Sequence, residues 1–321
     1  MNTMATNPNP SPALYAKSQR VDRAGVSVLR LAFQSTRGKC RYLVAHPGFR
    51  QARVLTLCRL LRWRVQCALG IPATVRLPQW DVRFYVPPRW HGAGTTMIYA
   101  LRGHYEKELL HLDRFISPGM VVVDGGANCR IYTVVAAKLV GPSGLVLSFE
   151  PGAEAFEVLR KNVDLNGLAH VRTYRAALSD REGEAVLYHH KEGPNSYSLG
   201  ATDTAGMAFE EIVTRTLSQV LHEETVRQVG LIKLDVEGCE ELVLRGAMSV
   251  MARYHPTVLL EMNGTAAGRL GLSPVGSWKL LEGLGYGFCS LTERGELNEL
   301  SQLPDGKNPI NVVAIHRARR K

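Results

Sequence analysis

The chain has no Cys-x-x-C pair and no regular cysteine spacing; its six cysteines (Cys40, Cys58, Cys67, Cys129, Cys239, Cys289) lie scattered. That excludes the usual zinc and disulfide frameworks and makes a reducing cytoplasm the expected compartment. No apolar run approaches the roughly 18 residues a membrane span requires. A charged-then-apolar leader is also missing. Acidic residues are nearly absent from the first 80 positions, where 13 Lys and Arg face one acid, Asp22. The other positions carry 26 basic against 28 acidic residues. The basic character therefore belongs to the leading segment, which argues against a catalytic domain built around a nucleic-acid groove.

Residues 1–20, rich in Asn, Pro, Ser and Thr, read as a disordered tail. Residues 21–100 read as a basic extension. Within it, Phe49 to Gly70 sets Arg50, Arg53, Arg59, Arg62 and Arg64 among Leu, Val and Trp63, the pattern of a basic helix. Three roles fit it: a lid packed on the domain with its arginines in water, contact with an anionic membrane surface, or a cleaved targeting sequence. Alternating residues from Thr74 to Pro88 predict an antiparallel ribbon. Arg102 to Phe115 is helical in period and stops at Ser117-Pro118-Gly119.

From residue 101 to 321 strands alternate with helices. Strands are expected at Met120–Val123, Leu145–Phe149, Val171–Tyr174, Val229–Leu234, Thr257–Leu260, near Gly287 and at Ile310–Ile315, with another at Ala185–Tyr188. The implied fold class is α/β, a doubly wound and mostly parallel seven-stranded sheet behind a basic helical extension. The insert His189–Gln228 shows no strong period and is a candidate substrate-binding element.

In such sheets ligands bind beyond the carboxyl ends of the strands, and here five acids stand at strand ends: Asp124, Glu150, Asp180, Asp235 and Glu261. The first follows Val121-Val122-Val123 and precedes Gly125-Gly126-Ala127-Asn128, a buried strand turning into a helix. A pyrophosphate would be repelled by Asp124; a ligand with a cationic end, such as S-adenosyl-L-methionine with its ammonium and sulfonium, would be attracted. Asp124 and Asn128 are then expected to place the methionine part, and Gly126 to permit close backbone approach. Glu150 is placed to accept ribose hydroxyl protons, with the alternative of a helix N-terminal acid before Pro151. Ser179 and Asp180 would meet the adenine edge or simply form a turn. Asp235 faces the middle of the crevice. Glu237 and Glu240 follow it, as catalytic groups or as helix-terminal acids. His189 and His190, adjacent in a strand, point to opposite faces and cannot serve one site. Cys129 and Cys239 read as small buried residues.

Tyr105-Glu106, Asp124 to Asn128, Tyr132-Thr133, Phe149-Glu150-Pro151, Ala177 to Asp180, Asp235-Val236-Glu237-Gly238-Cys239-Glu240 and Leu260-Glu261 together resemble the FkbM family of S-adenosylmethionine-dependent methyltransferases, from about Arg102 to Arg317. The resemblance implies S-adenosyl-L-methionine as cofactor and O-methylation of a hydroxyl on a sugar, glycolipid or polyketide-type metabolite. It adds Tyr105, Glu106, Ala127, Tyr132, Thr133 and Pro151 to the cofactor-binding set, and no resident metal. Gly125 and Arg130 depart from the family's Asp-Val-Gly-Ala-Asn-x-Gly, and Arg130 would point to solvent, touch a substrate or block the cofactor. Ser218 replaces the acid that tends to follow Thr-Leu in the insert. Asp235 or Glu237 is the expected general base; a divalent cation on Asp235 and Glu261 is a weaker version. The alternatives are an RNA methyltransferase and a catalytically inactive methyltransferase-like binding protein.

Overall fold

The computed structural model describes residues 43–44, 46–90, 94–128, 131–189, 197–198, 207–303 and 309–319. Cys40, Cys129, Arg130, His190, the tail 1–20 and much of the insert lie outside them. The chain forms two units, Met1–Arg53 and Val54–Lys321. The described part of the first holds one short helix, α1 (Pro47–Gln51), whose first turn is capped by His46 Nδ1 accepting the Gly48 N–H at 3.1 Å.

The second unit begins one residue inside α2 (Arg53–Ala68), which the ribbon β1 (Ala73–Leu77) and β2 (Val82–Val86) follows in the expected antiparallel pairing. After α3 (Thr95–Leu101), where one helix was expected over Arg102–Phe115, the chain makes a 3-10 turn, α4 (Lys107–Leu110) and a second 3-10 turn. Arg102 sits at φ +60° and Glu106 is extended, and both interrupt the helical hydrogen-bond ladder. The apolar period survives the breaks because Leu109 and Leu112 still point into the core.

The doubly wound core then follows: β3 (Val121–Gly125), α5 (Ile131–Val140), β4 (Leu145–Phe149), α6 (Ala153–Leu165), β5 (Val171–Tyr174), and later β10 (Leu231–Leu234), α8 (Glu240–Gly246), α9 (Met248–Tyr254), β11 (Thr257–Met262), α10 (Gly264–Arg269), α11 (Gly276–Gly283), β12 (Tyr286–Leu291), β13 (Leu297–Leu300) and β14 (Ile310–His316). The large sheet runs β13-β12-β14-β11-β10-β3-β4-β5, with five parallel strands and an antiparallel edge. It has eight strands rather than seven, because Leu297–Leu300 folds back on β12. Only its end residues are partly covered, so no apolar alternation announced it.

Alternation about the strand axis sends Val122, Val146 and Leu231 to one face, against α5, Trp63 and the ribbon. It sends Val123, Leu147 and Ile232 to the other, against Leu221, Leu244 and Leu281. Each such side chain contributes about 1.5–3 kcal/mol by burial, and two covered faces require the continuous apolar strands seen here. Residues 54–100 share the first of these cores. In α6, Ala155, Val158, Leu159, Asn162 and Val163 form the buried stripe. Asn162 is satisfied there: its Oδ1 accepts the Tyr85 N–H at 2.6 Å, and its Nδ2 donates to the Tyr85 carbonyl.

Between β5 and β10 lies a smaller sheet, β6 (Ala177–Leu178), β7 (Gly183–His189), β8 (Tyr197–Ser198) and β9 (Phe209–Arg215), in the order β6-β9-β7-β8. The helix α7 (Leu217–Glu223) closes it, its N-cap Thr216 accepting from the Gln219 N–H. So the end of the insert is regular. Its strand escaped the periodicity because Phe209 and Val213 point to solvent while Glu210 and Thr214 point inward.

Candidate functional site

The chain leaves β3 toward β4 and β5 on one side and later returns to β10 and β11 on the other, so the strand order reverses between β3 and β10. A crevice opens at such a switch point, beyond the strand ends. Here it is a cavity of about 230 Å³. The turn after β3 supplies Gly126, Ala127 and Asn128; β10 and its turn supply Lys233, Asp235 and Glu237; β11 supplies Glu261 and β14 Asn311. The broken helix after α3 supplies Tyr105, Glu106 and Glu108, and α5 supplies Tyr132.

Gly126 has φ +75°, and a Cβ there would stand 1.9 Å from the Asp235 carbonyl oxygen. Only glycine lets the two turns lie this close. The Gly126 and Ala127 N–H groups both donate to the Phe149 carbonyl at 3.0 Å, and the Asp235 N–H donates to the Gly125 carbonyl at 3.0 Å. The strand ends are thereby stitched into one rigid floor.

Asp124 lies beneath this floor and does not line the cavity. Its Oδ2 accepts the Thr133 hydroxyl at 2.6 Å, and its Oδ1 is 3.6 Å from Lys233 Nζ. Thr133 in turn meets Ser148 Oγ at 2.8 Å. Glu150 is also buried and off the cavity: one oxygen accepts the Asn128 N–H and the other the Gly152 N–H, each at 2.9 Å. It ties the turn after β3 to the turn after β4. Pro151, Ser179 and Asp180 stand outside the lining as well. The Ser179 hydroxyl donates to Asp180 at 3.2 Å, and the Ser179 carbonyl packs so close to Gly246 that a Cβ there would clash.

Tyr105, Glu106, Gly126, Ala127, Asn128, Tyr132, Asp235 and Glu237 are brought together as the sequence led us to expect. Lys233, Glu108, Glu261 and Asn311 join them. Lys233 was the legible omission, a charge inside the apolar strand Leu231-Ile232-Lys233-Leu234 two residues before Asp235, hence on the same face. It is the one cation among the lining residues, 3.4 Å from Asp235 Oδ2 and 3.4 Å from the Gly126 carbonyl, with its ammonium 4.9 Å over the Tyr132 ring.

Five carboxyl groups thus face one ammonium, and their protonation is graded. Burial works against the charge on Asp235, but the Lys233 ammonium and a hydrogen bond from Glu261 outweigh it and hold Asp235 below the usual carboxylate range. Glu261 is driven well up by burial and by that neighbouring charge, so the proton the two share resides on Glu261. Burial, then the Asp235 charge, lifts Glu237 to about 7. Burial also lifts Glu106 to about 7 against the pull of the Tyr132 hydroxyl, which donates to it. Glu108 is raised by burial, and its Oε1 is buried at the wall without a hydrogen-bond partner among the described residues.

Glu237 itself occupies a left-handed conformation, φ +54°, followed by Gly238 at φ +97°. For a residue with a Cβ that costs about 1–2 kcal/mol, and strain of this kind concentrates where a side chain must be aimed. Glu240 takes the structural of its two expected roles: Oε1 accepts the Val236 and Gly238 N–H groups at 3.2 and 3.3 Å. Cys239 is buried with its thiol pushed up to about 12 by burial and by Glu240 and Glu237, an inert thiol at neutral pH. His189 pairs with Glu210 on the small sheet, away from the cavity. No described residue of the insert lines the cavity. Among the described residues no group of three His, Cys, Asp or Glu side chains is arranged to hold a metal ion.

The family model for the methyltransferase FkbM domain matches residues 124–288, more than half of the chain. Among curated proteins, the chain is 24% identical over 168 residues to Methyltransferase 1 of Beauveria bassiana (strain ARSEF 2860), covering 44% of this chain and 67% of that protein. It is 32% identical over 160 residues to the 31-O-demethyl-FK506 methyltransferase FkbM of Streptomyces tacrolimicus, covering 41% of this chain and 60% of that protein. The methyltransferase sdnD of Sordaria araneosa is 27% identical over 136 residues, covering 42% of this chain; the chain spans less than half, 48%, of its length. Among solved structures, a methyltransferase FkbM from Methylobacillus flagellatus KT aligns with TM-score 0.38 and 14% identity, over 80% of this chain and 59% of that one.

Proposed function

The chain belongs to the FkbM methyltransferase family, and from that premise we propose that it moves a methyl group from S-adenosyl-L-methionine to a hydroxyl oxygen of an uncharged acceptor, a sugar, glycolipid or polyketide-type metabolite. The observation that carries the proposal is the cavity itself: at the switch point, five carboxyl groups converge around one ammonium. Such a wall attracts a cationic ligand and repels an anionic one. That fits a cofactor bearing ammonium and sulfonium, and it disfavours phosphate-bearing acceptors such as RNA.

The residues present suit the cofactor. Asp235, held ionised, lines the cavity and offers an acceptor to a cationic group. Asn128 and the backbone of Gly126 and Ala127 line the same side. Glu150, expected at the ribose hydroxyls, is buried off the cavity with each oxygen accepting a backbone N–H, so its part is to hold the turn that carries Asn128. When bound, S-adenosyl-L-methionine supplies an activated methyl group, so the protein's task is alignment, exclusion of water and removal of the acceptor's proton.

For that proton the two expected bases now separate. Asp235 is stabilised as an anion by Lys233 and is a weak base. Glu237, with a pKa near 7, is balanced between holding and releasing a proton at neutral pH, which is what general-base catalysis needs. We therefore assign proton abstraction to Glu237 and electrostatic positioning to Asp235. Purified protein incubated with methyl-labelled S-adenosyl-L-methionine and fractionated cell extract tests the whole reading. Label on the oxygen of a neutral saccharide, lipid or metabolite supports it. Label in RNA, or failure to bind S-adenosylhomocysteine in calorimetry, contradicts it.

A further inference from the structure

Amphipathic surface helices turn their apolar stripe inward, and α2 does not follow that rule. Its inner side is small and specific. Thr56 and Trp63 are buried, and the Trp63 ring stacks on Tyr99 at 4.5 Å while its Nε1–H donates to Thr96 Oγ1 at 3.0 Å. Arg59 donates to the Ala100 carbonyl at 3.1 Å, and the Tyr99 hydroxyl donates to Gln66 at 3.0 Å. These contacts fix the helix on α3 and set which side faces out.

The outward side is apolar. Val54, Leu57, Leu61, Val65 and Leu69 recur at three- and four-residue steps, one stripe on a 3.6-residue helix, and are exposed by 76%, 54%, 72%, 53% and 66%. Exposed Arg62 and Arg64 lie on either flank of the stripe. So the lid reading, with arginines alone in water, is incomplete: water also meets a continuous apolar row, which monomeric proteins rarely present without use.

We propose that this face of α2 docks on an anionic lipid surface, the helix lying in the interface plane with its leucines and valines among the acyl chains. Charge complementarity selects this occupant. Arg62 and Arg64 flank the stripe where they meet headgroup phosphates, and the first 80 residues carry 13 basic side chains against one acid. A second copy of the chain is a poor fit, because a two-fold contact on this stripe sets the same arginines against each other. No described helix is long and apolar enough to cross a membrane, so the contact is peripheral.

Vesicle flotation of the full chain decides the matter, with phosphatidylcholine vesicles prepared with and without phosphatidylserine. The bound fraction rises about tenfold or more with the anionic lipid and falls again with added salt. Leu61→Asp lowers binding by about tenfold with unchanged melting temperature because its side chain is exposed, and Arg62→Glu lowers it by a similar factor. Equal binding to both vesicle types, wild-type binding by Leu61→Asp, or no binding by the wild-type chain overturns the proposal. Self-association without vesicles that Leu61→Asp abolishes assigns the face to a second copy instead and also overturns it.

Discussion

Two acid-and-glycine turns flank the switch point, and they have opposite characters. After β3, Asp124 is buried and matched: Thr133 donates to one oxygen and Lys233 stands by the other. After β10, Asp235 stands 3.4 Å from the same ammonium, the adjacent Glu261 keeps its proton, and Glu237, lifted to about 7, is held in a strained backbone conformation. The acid of the first turn is sealed beneath the floor, hydrogen-bonded through one oxygen and held by charge alone at the other. The second keeps groups that titrate near neutral pH facing a cavity, the setting in which reactive groups are found. Similar motifs on neighbouring strands therefore differ in place: one is closed beneath the floor, and the other opens on the cavity, where the proposed chemistry would occur.

Lys233 joins the two turns, and its removal should have the largest structural effect. Lys233→Met leaves Asp124 buried without its cation, and the expected loss is about 3–5 kcal/mol, read as the denaturant midpoint. If the loss stays near zero, Asp124 is not dependent on Lys233 and the contrast between the turns fails. Gly126→Ala should cost about 2 kcal/mol or more, through a Cβ driven against the Asp235 carbonyl and a left-handed φ. A melting temperature unchanged by that substitution would mean the turns are not packed as described.

Thr133→Val, which removes the hydroxyl from Asp124 while keeping its shape, should cost about 1–2 kcal/mol, and should leave the pH profile of turnover where it was. The smallest effect concerns Glu240, whose pKa is raised in the folded chain from the ordinary 4.5 to about 7 by burial. The folded state then holds a proton that the unfolded state releases. Stability from this group is complete below pH 4.5 and is lost as pH rises through 7. Glu240→Gln should flatten the decline in melting temperature over that window; an unchanged slope would assign the decline to Glu106 and Glu237.

Much of this was legible in the sequence. Val121-Val122-Val123 and Leu231-Ile232-Lys233-Leu234 read as buried strands because both faces of the sheet are covered, and the acids after them fall at the switch point by the geometry of parallel sheets. The contrast between the turns was not legible. Whether an acid is paired depends on what lies across the sheet, and Lys233 reaches Asp124 from a strand more than a hundred residues away. Glu106 and Glu108 line one wall only because the helix breaks at Arg102 and Glu106, which a helical period conceals. β13 was hidden by its polar edge character, and Arg130, the departure inside the first turn, falls outside the described residues.

The contrast between the turns is tested most directly by the pH dependence of kcat in the wild type and in Glu237→Gln, with S-adenosylhomocysteine affinity measured alongside. The account predicts a wild-type kcat that climbs as Glu237 loses its proton near pH 7. In Glu237→Gln it predicts a turnover lower by about 10²–10³-fold, with that rise abolished and cofactor affinity kept within about twofold. Near-wild-type turnover in Glu237→Gln, with the rise near pH 7 intact, would contradict it.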